Sequence, residues 1–312
     1  MKVLVAGSSG FIGSRLVKHL RPRHDVFTLS TRAAVDACDI GTHRQIDRQS
    51  PDFAPILAHI HPDVCIACFG AANPSASFVE RELDFDLNVT KARLMLEAIR
   101  LHSPGTRLVH LSSAAVYGNP PILPITEDMA ASPISPYGWH KLQAEMICRE
   151  YAALGDVPTV SLRIFSCFGP GLRRQLLWDT AQKALAGRKL DLVGTGRESR
   201  DFIFISDLVR AIESVILNGS FDGQAVNVAS GAETTIRHAV EQLIEAMNWD
   251  GDIQFSGAVR QGDPLNWRAD ISRLLATGYV PETTFRRGVD QFANWVHADR
   301  SANPLSPGTL AP

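Results

Sequence analysis

The chain contains no apolar run of about 18 residues, so it offers no segment able to span a membrane as a helix. It has little cysteine, and the number is odd: Cys38, Cys65, Cys68, Cys148 and Cys167. Five scattered thiols make no disulfide framework, and a reducing cytoplasm is the expected setting. Cys65 and Cys68 have C-x-x-C spacing, but they lie in an apolar segment with no second pair to complete a zinc site. They read as buried strand thiols, and no metal is expected. Neither sign of charge is in excess: 31 Lys plus Arg stand against 33 Asp plus Glu, a net charge of −2. A surface that binds nucleic acid by neutralising phosphates therefore has no support. The amino terminus lacks the apolar core of about 7–15 residues that a secretory signal carries. Internal repeats and low-complexity tracts are also missing. What remains is an ordinary globular chain of 312 residues, 45% hydrophobic, enough for one large domain or two closely joined ones.

Short β-branched runs alternate with longer helical patterns through the first two-thirds. Strands are predicted at 3–6, 26–29, 64–66, 108–111 and 159–165, with helices at 11–20, 78–100 and 137–153 between them. Such spacing implies right-handed βαβ crossovers and a parallel sheet covered on both faces. Lys91, Arg93, Glu97 and Arg100 read as the solvent side of the long helix. The expected class is α/β, a doubly wound Rossmann sheet with a smaller mixed α/β carboxyl-terminal substrate lobe. The division falls at 1–170 and 171–300, with some segments of the second part able to return to the first. In that part, 172–186, 205–217 and 236–247 look helical and 225–228 strand-like. Residues 301–312, with three prolines, read as a frayed tail.

Gly7-Ser8-Ser9-Gly10-Phe11-Ile12-Gly13 follows the first strand and opens the first helix. Glycine permits the tight turn at 7, the close approach of backbone to a pyrophosphate at 10, and tight helix–strand packing at 13. In this strand–turn–helix context the pattern predicts dinucleotide binding through Gly7, Ser9, Gly10, Phe11 and Ile12. The second strand ends in Ser30-Thr31-Arg32, where an NAD site places a carboxylate for the ribose 2′-hydroxyl. Hydroxyls followed by a guanidinium suit a 2′-phosphate, so NADP is favoured over NAD.

Tyr137-Gly138-Trp139-His140-Lys141 begins a helix and sets phenol and ammonium one turn apart on the same face. The ammonium, together with the charge of an oxidised nicotinamide, should favour the phenolate and bring the tyrosine, ordinarily near 10, into working range. His140 reads as exposed and uninvolved. About two dozen residues earlier, Leu111-Ser112-Ser113-Ala114-Ala115-Val116-Tyr117-Gly118 puts Ser113 just past a central strand, on the rim where open α/β sheets bind ligands.

The G-x-x-G-x-x-G spacing, together with Ser-Ser-x-x-Val-Tyr-Gly and Pro-Tyr-x-x-x-Lys, resembles the extended short-chain dehydrogenases/reductases, the NAD(P)-dependent nucleotide-sugar epimerase/dehydratase family. The resemblance runs from residue 1 to about 295. It implies that Tyr137 is the acid/base, that Lys141 also holds the nicotinamide ribose, and that Ser113 orients the substrate oxygen, with Ser112 as its neighbour on the cofactor. It further implies that Asp39 and Ile40 lie beside the adenine, that Phe69, Gly70 and Ala71 flank the cofactor, and that Asn88 shapes its site. Asn73, Ser166, Arg200 and Arg260 would meet the nucleotide sugar, the arginines on its diphosphate. Ser166 stands where the family usually has asparagine. A homodimer through the two long helices is a further implication.

In the family's 4,6-dehydratases an Asp-Glu pair follows the serine or threonine; here Ala114-Ala115 follows, with no proton-transfer capacity. The ketosugar 3,5-epimerase-reductases place a cysteine two residues after the serine and a histidine after Gly-Pro, where this chain has Ala115 and Gly171. Plain hydride chemistry at one carbon remains. A 4-reductase of an NDP-4-keto-6-deoxyhexose using NADPH is favoured, ahead of an NDP-hexose 4-epimerase with retained cofactor. A non-catalytic NADP-binding sensor is a minor third, since such relatives typically lack the Tyr–Lys pair.

Overall fold

The computed structural model describes residues 1–33, 41–258 and 262–302. Its strands are, in chain order, β1 (Lys2–Ala6), β2 (Asp25–Ser30), β3 (His43–Gln45), β4 (Val64–Ala67), β5 (Arg107–Ser113), β6 (Thr159–Ile164), β7 (Ser166–Phe168), β8 (Lys189–Leu192), β9 (Ser199–Phe204), β10 (Asp222–Val228), β11 (Glu233–Thr235) and β12 (Asp252–Phe255). Seven of them form a central parallel sheet ordered β10-β6-β5-β4-β1-β2-β3. The β1 sequence KVLVA explains why this sheet is buried on both sides. Val3 and Val5 join one apolar cluster, with Leu16 and Leu20; Leu4 and Ala6 join another, with Leu57, Met95 and Ile99. Period-2 alternation thus feeds two cores, each buried aliphatic side chain contributing about 1.5–3 kcal/mol.

The covering helices are α1 (Phe11–Leu20), α2 (Ala54–Ile60), α3 (Pro74–Ser77), α4 (Arg81–Phe85), α5 (Lys91–His102), α6 (Pro136–Ala153), α7 (Gln175–Ala186), α8 (Ile205–Asn218), α9 (Ile236–Ala246), α10 (Ser272–Leu275) and α11 (Phe285–Ala302). From β1 the chain winds outward through β2 and β3, then crosses back to β4 on the other side of β1. That reversal opens a crevice at the strands' carboxyl ends, where a doubly wound sheet binds its ligand.

The expected helix over 78–100 starts later and is not regular. It begins at Arg81, is interrupted by a π turn over Asp86–Thr90, and continues as α5. Lys91, read as solvent-facing, is buried and paired with Asp86 at 2.8 Å. The strand β10 leaves the second half of the chain to pair with β6 at the edge of the main sheet. Beyond it lie a mixed sheet ordered β11-β9-β7 and the pair β12-β8. The expected tail from 301 is corrected at its start, because α11 runs through Ala302. Cys65 is fully buried and Cys68 half-buried, both free. Burial pushes the Cys68 thiol up to about 12. Among the described residues no helix is long and apolar enough to cross a membrane.

Candidate active site

The glycine turn closes against the ends of two neighbouring strands. Gly7 has φ +90°, and a Cβ there would lie 2.7 Å from the carbonyl carbon of Cys68. The N–H groups of Gly7 and Ser8 both donate to the Leu29 carbonyl, at 2.7 and 3.2 Å. At Gly13 a Cβ would come within 2.3 Å of the Gly7 oxygen, so α1 can sit this close only with glycine there. Gly10 caps α1 with no side-chain hydrogen bond, and the first turn holds no acid. The helix therefore presents free N–H donors and positive dipole charge at the crevice, beside exposed Ser9 and half-buried Phe11 and Ile12.

At the end of β2 the Ser30 hydroxyl donates to the Arg32 carbonyl (2.8 Å) and accepts from the Arg32 N–H (3.1 Å). Ser30, predicted to touch the cofactor, thus spends its hydroxyl on folding the turn. From β3, Gln45 Nε2 donates to the Thr31 carbonyl at 3.2 Å, and His43 Nε2 donates to that of Arg32 at 2.9 Å. His43 Nδ1 is then the acceptor for the Thr28 hydroxyl at 2.9 Å. Held by its backbone, the turn leaves the Thr31 and Arg32 side chains exposed, paired with no carboxylate among the described residues. Asp39 and Ile40 lie outside the described residues. Among the described residues, an acid that follows β3 at this edge of the sheet is Asp47, two residues past the strand, which sequence reasoning did not single out. Its Oδ1 accepts from the N–H groups of Gln49 (2.6 Å) and Ser50 (2.9 Å), which hold the carboxyl below its usual range.

Three expected catalytic side chains converge where β5 meets α6. Ser113 ends β5, and its Oγ accepts from the Ala115 N–H at 3.1 Å, capping the short 3₁₀ turn Ala114–Tyr117. Ser135 caps α6 by accepting from the Gly138 N–H, and Pro136 occupies the first turn, so Tyr137 enters at the helix start. A Cβ on Gly138 would stand 2.6 Å from the Ala115 oxygen; glycine here lets α6 seat Tyr137 against Ser113. The Tyr137 N–H donates to Ser77 Oγ at 3.0 Å. Lys141 Nζ donates to the Leu111 carbonyl at 2.9 Å and lies 5.9 Å from the Tyr137 ring centre.

The polypeptide's own groups do not lower the phenol. Burial pushes Tyr137 up to about 12, outweighing the opposite pulls of its hydrogen bond with Ser113 and of the Arg174 charge. Burial also brings Lys141 down to about 8, against the charges of Asp84 and Glu145. Desolvation wins at both groups because each side chain is almost wholly enclosed.

The π turn aims Asn88 at this cluster. Its Nδ2 donates to the Asp84 carbonyl at 3.0 Å, while its Oδ1 is buried with no hydrogen-bond partner among the described residues. A Cβ on Gly70 (φ +129°) would lie 2.6 Å from that oxygen and 3.3 Å from Lys141 Nζ, so all three flank one spot. His140, read as exposed, instead sits half-buried with Nδ1 at 2.6 Å from Asp84 Oδ2 and its ring edge-on to Phe85. Sequence alone could not show this, because its partner lies 56 residues away.

Ser112 is corrected as a hydroxyl contact: strand alternation turns it away from Ser113, and it donates to Glu145. Glu145 also takes Arg163, whose Nε reaches both carboxylate oxygens at 3.1 Å and whose Nη2 reaches one at 2.8 Å. Asn73 Oδ1 is used to cap α3, accepting from the Ala76 N–H. Ser166 opens β7. Arg200 lies on β9, donates to the Ser199 carbonyl at 2.8 Å, and stacks over Trp267 at 5.5 Å. Phe69 stacks on Phe53, and Ala71 follows Gly70 in the loop beyond β4. Arg260 lies outside the described residues.

The residues present fit a nicotinamide dinucleotide: an uncapped helix start, turns with no side chain in the way, and the unpartnered Asn88 oxygen beside Gly70 and Lys141. A Rossmann crevice with this turn and a Ser–Tyr–Lys cluster defines an oxidoreductase site of the extended short-chain dehydrogenase/reductase type. The chain belongs to the NAD dependent epimerase/dehydratase family, whose profile matches residues 3–229. It is 29% identical over 309 residues to the UDP-glucose 4-epimerase of Mycolicibacterium smegmatis, covering 93% of this chain and 96% of that one. To the GDP-6-deoxy-D-mannose reductase of Pseudomonas aeruginosa it is 26% identical over 298 residues, covering 92% and 94%. Among solved structures, MoeE5 in complex with UDP-glucuronic acid and NAD superposes with a TM-score of 0.86 at 27% identity, covering 96% of this chain and 100% of that one.

Proposed function

We propose that this chain is an NADP(H)-dependent reductase of the 4-keto group of an NDP-4-keto-6-deoxyhexose. The observation that supports the cofactor choice is the turn after β2, built on Ser30 and braced from β3, in which Arg32 is exposed and paired with no carboxylate among the described residues, so that its guanidinium can fork onto a 2′-phosphate. When bound, the nicotinamide supplies the hydride to the sugar carbon. Ser113 Oγ and the Tyr137 hydroxyl would hold the 4-oxygen, and Tyr137 would donate the proton to that oxygen as it gains charge. Lys141 would hold the nicotinamide ribose. Gly7, Gly10 and the start of α1 would take the pyrophosphate, with Asn88 shaping the pocket beneath. Arg200, Ser166 and Asn73 stand on the sugar-nucleotide side of the reading, Asn73 through its free amide. Ala114, fully buried, and Ala115 leave a dehydratase without its acid–base pair.

Replacing Arg32 with Ala should weaken NADPH by about 10–100-fold, the loss of a charge-assisted contact, and leave NADH unchanged. Parallel titrations of the two cofactors check it; equal losses for both would remove the NADP preference. A second reading, a 4-epimerase with retained cofactor, is favoured by the likeness to a UDP-glucose 4-epimerase and to MoeE5. Cofactor turnover separates the two: stoichiometric NADPH oxidation with a 4-keto sugar supports reduction, and conversion without net loss supports epimerisation.

The same reading includes a homodimer in the cytoplasm. Leu83 and Phe85 on α4 and Trp139 and Met146 on α6 are exposed apolar side chains, and α4 packs on α6. A second copy would cover them. Sedimentation should show a dimer, reduced to monomer by Trp139→Glu with Met146→Glu; a monomeric parent chain would sink this part.

A further inference from the structure

Residues 265–269 run between β9 and the turn that follows Ser113, and they bond to both. On the β9 side, the Leu265 carbonyl accepts from the Ser199 N–H at 2.9 Å, and the Trp267 N–H donates to the Ser199 carbonyl at 3.2 Å. The Ala269 N–H donates to Asp201 Oδ2 at 3.1 Å. On the other side, the Leu265 N–H donates to Asn119 Oδ1 at 2.7 Å, and Trp267 Nε1 donates to the Gly118 carbonyl at 3.0 Å. The Ile125 N–H then donates to the Arg268 carbonyl at 2.7 Å. Gly118 closes the 3₁₀ turn that Ser113 opens. This stretch is therefore a strap between the strand that carries Arg200 and the turn that carries Ser113.

Trp267 is the middle of the strap, and its side chain reaches both ends. It is 8% exposed, and Phe165 meets it edge-on with ring centres 5.8 Å apart. The Arg200 guanidinium carbon stands 5.5 Å from the centre of the Trp267 ring. An indole is the strongest aromatic partner for such a cation, and stacking on it holds the guanidinium plane. Nη1 fixes the rotation in that plane by donating to the Ser199 carbonyl at 2.8 Å, with the Leu265 carbonyl at 3.4 Å. Nε and Nη2 have no hydrogen-bond partner among the described residues. A guanidinium held by one face and one nitrogen, with two others spare, is set to fork onto two oxygens of a phosphate.

We propose that Trp267 is a positioning residue for the nucleotide sugar: its ring aims Arg200 at the diphosphate, and its N–H fixes the turn that begins at Ser113. One side chain thereby sets the distance between the group that grips the diphosphate and the hydroxyl that holds the sugar oxygen. A rigid link between the two converts binding at the remote diphosphate into alignment at the reacting carbon. The inference rests on the reading of Arg200 as a diphosphate ligand, and the experiment tests that reading by itself.

The first measurement is a calorimetric titration of the protein, saturated with the tighter-binding of NAD⁺ and NADP⁺, with UDP, GDP, CDP and dTDP. The nucleotide that binds tightest is then taken to the variants. Arg200→Ala should weaken it about 10–100-fold, the worth of a charge-assisted contact. Trp267→Leu should weaken it about 3–30-fold, and Trp267→Phe, which keeps a ring under Arg200, by no more than about 3-fold. In the Trp267→Leu background, Arg200→Ala should cost less than it does alone, because the two act through one contact. The second measurement is conversion of a sugar nucleotide. Trp267→Phe should lower kcat about 10-fold with KM nearly constant, since it loses only the tie to Gly118. Cofactor affinity and stoichiometry should match the parent in every variant, which separates positioning from a loss of folded protein; should Trp267→Leu not fold, Trp267→Met carries the same test. Parent-like nucleotide affinity in Trp267→Leu overturns the proposal, as do parent-like kcat in Trp267→Phe and additive losses in the double variant. Parent-like affinity in Arg200→Ala overturns the reading of Arg200, and the proposal with it.

Discussion

Tyr137→Phe is expected to lower turnover by about 10²–10⁴-fold, the usual worth of a positioned acid or base, while cofactor affinity stays within a few-fold of the parent. The change removes one oxygen and leaves the ring wedged between Ser113 and Lys141. Gly138, Ser135 and Ser77, which seat the helix start, are untouched. Lys141 keeps its bond to the Leu111 carbonyl, so the ribose-facing side of the site survives. Single-turnover kinetics with a 4-keto sugar nucleotide, beside a cofactor titration, separate chemistry from binding. Undiminished turnover would show that the phenol is not the proton donor.

The second large effect lies beneath the site. Arg163→Met should destabilise the fold by about 3–5 kcal/mol, because it strands the Glu145 carboxylate in a buried position. For a chain of this size that is a fall of roughly 5–8 °C in thermal midpoint. Arg163 binds Glu145 in two-pronged fashion, donates to the Tyr117 hydroxyl at 2.8 Å, and reaches the Glu127 carbonyl at 3.0 Å. Tyr117 in turn donates to Asn227 of β10 at 2.7 Å. The network ties β6, α6, the 3₁₀ turn after Ser113 and the edge strand together. Adding Glu145→Gln to Arg163→Met should recover a large part of the loss, since the stranded charge is then gone. Calorimetry of the two variants decides it: a single substitution as stable as the parent would mean the pair contributes nothing net.

How much of this was legible in the sequence depended on whether neighbours in space were neighbours in the chain. The glycine turn, the strand-then-helix alternation and the Tyr–Lys spacing are local patterns, and each lies where it was expected. The central sheet followed because fully buried strands read as unbroken apolar runs. The strand β3 did not, since His43-Arg44-Gln45 has no apolar pattern and is held by bonds to the turn after β2. The short strands in the second half of the chain, β7 to β9, β11 and β12, are likewise too brief for a periodic signal. Within the site, Ser112 and Ser113 could not be told apart without knowing which face of β5 met Glu145. His140 was misjudged for a related reason. Helical geometry placed it off the Tyr–Lys face correctly, yet it could not reveal that α4 brings a carboxylate to meet it. The burial of Tyr137 and Lys141 was not legible either, because it is set by elements far away in the chain that close over the start of α6.

The π turn over Asp86–Thr90 amounts to a one-residue phase shifter. An extra residue in a helix turns everything before it by about 100° relative to everything after it. Upstream, that rotation points Asp84 at α6; downstream, it leaves Met95, Leu96 and Ile99 facing the sheet. A regular helix could satisfy one of these demands but not both. Deleting a single residue from this stretch would leave the core contacts in register and swing the acid away from the catalytic helix, so this segment tolerates substitution far better than a change of length.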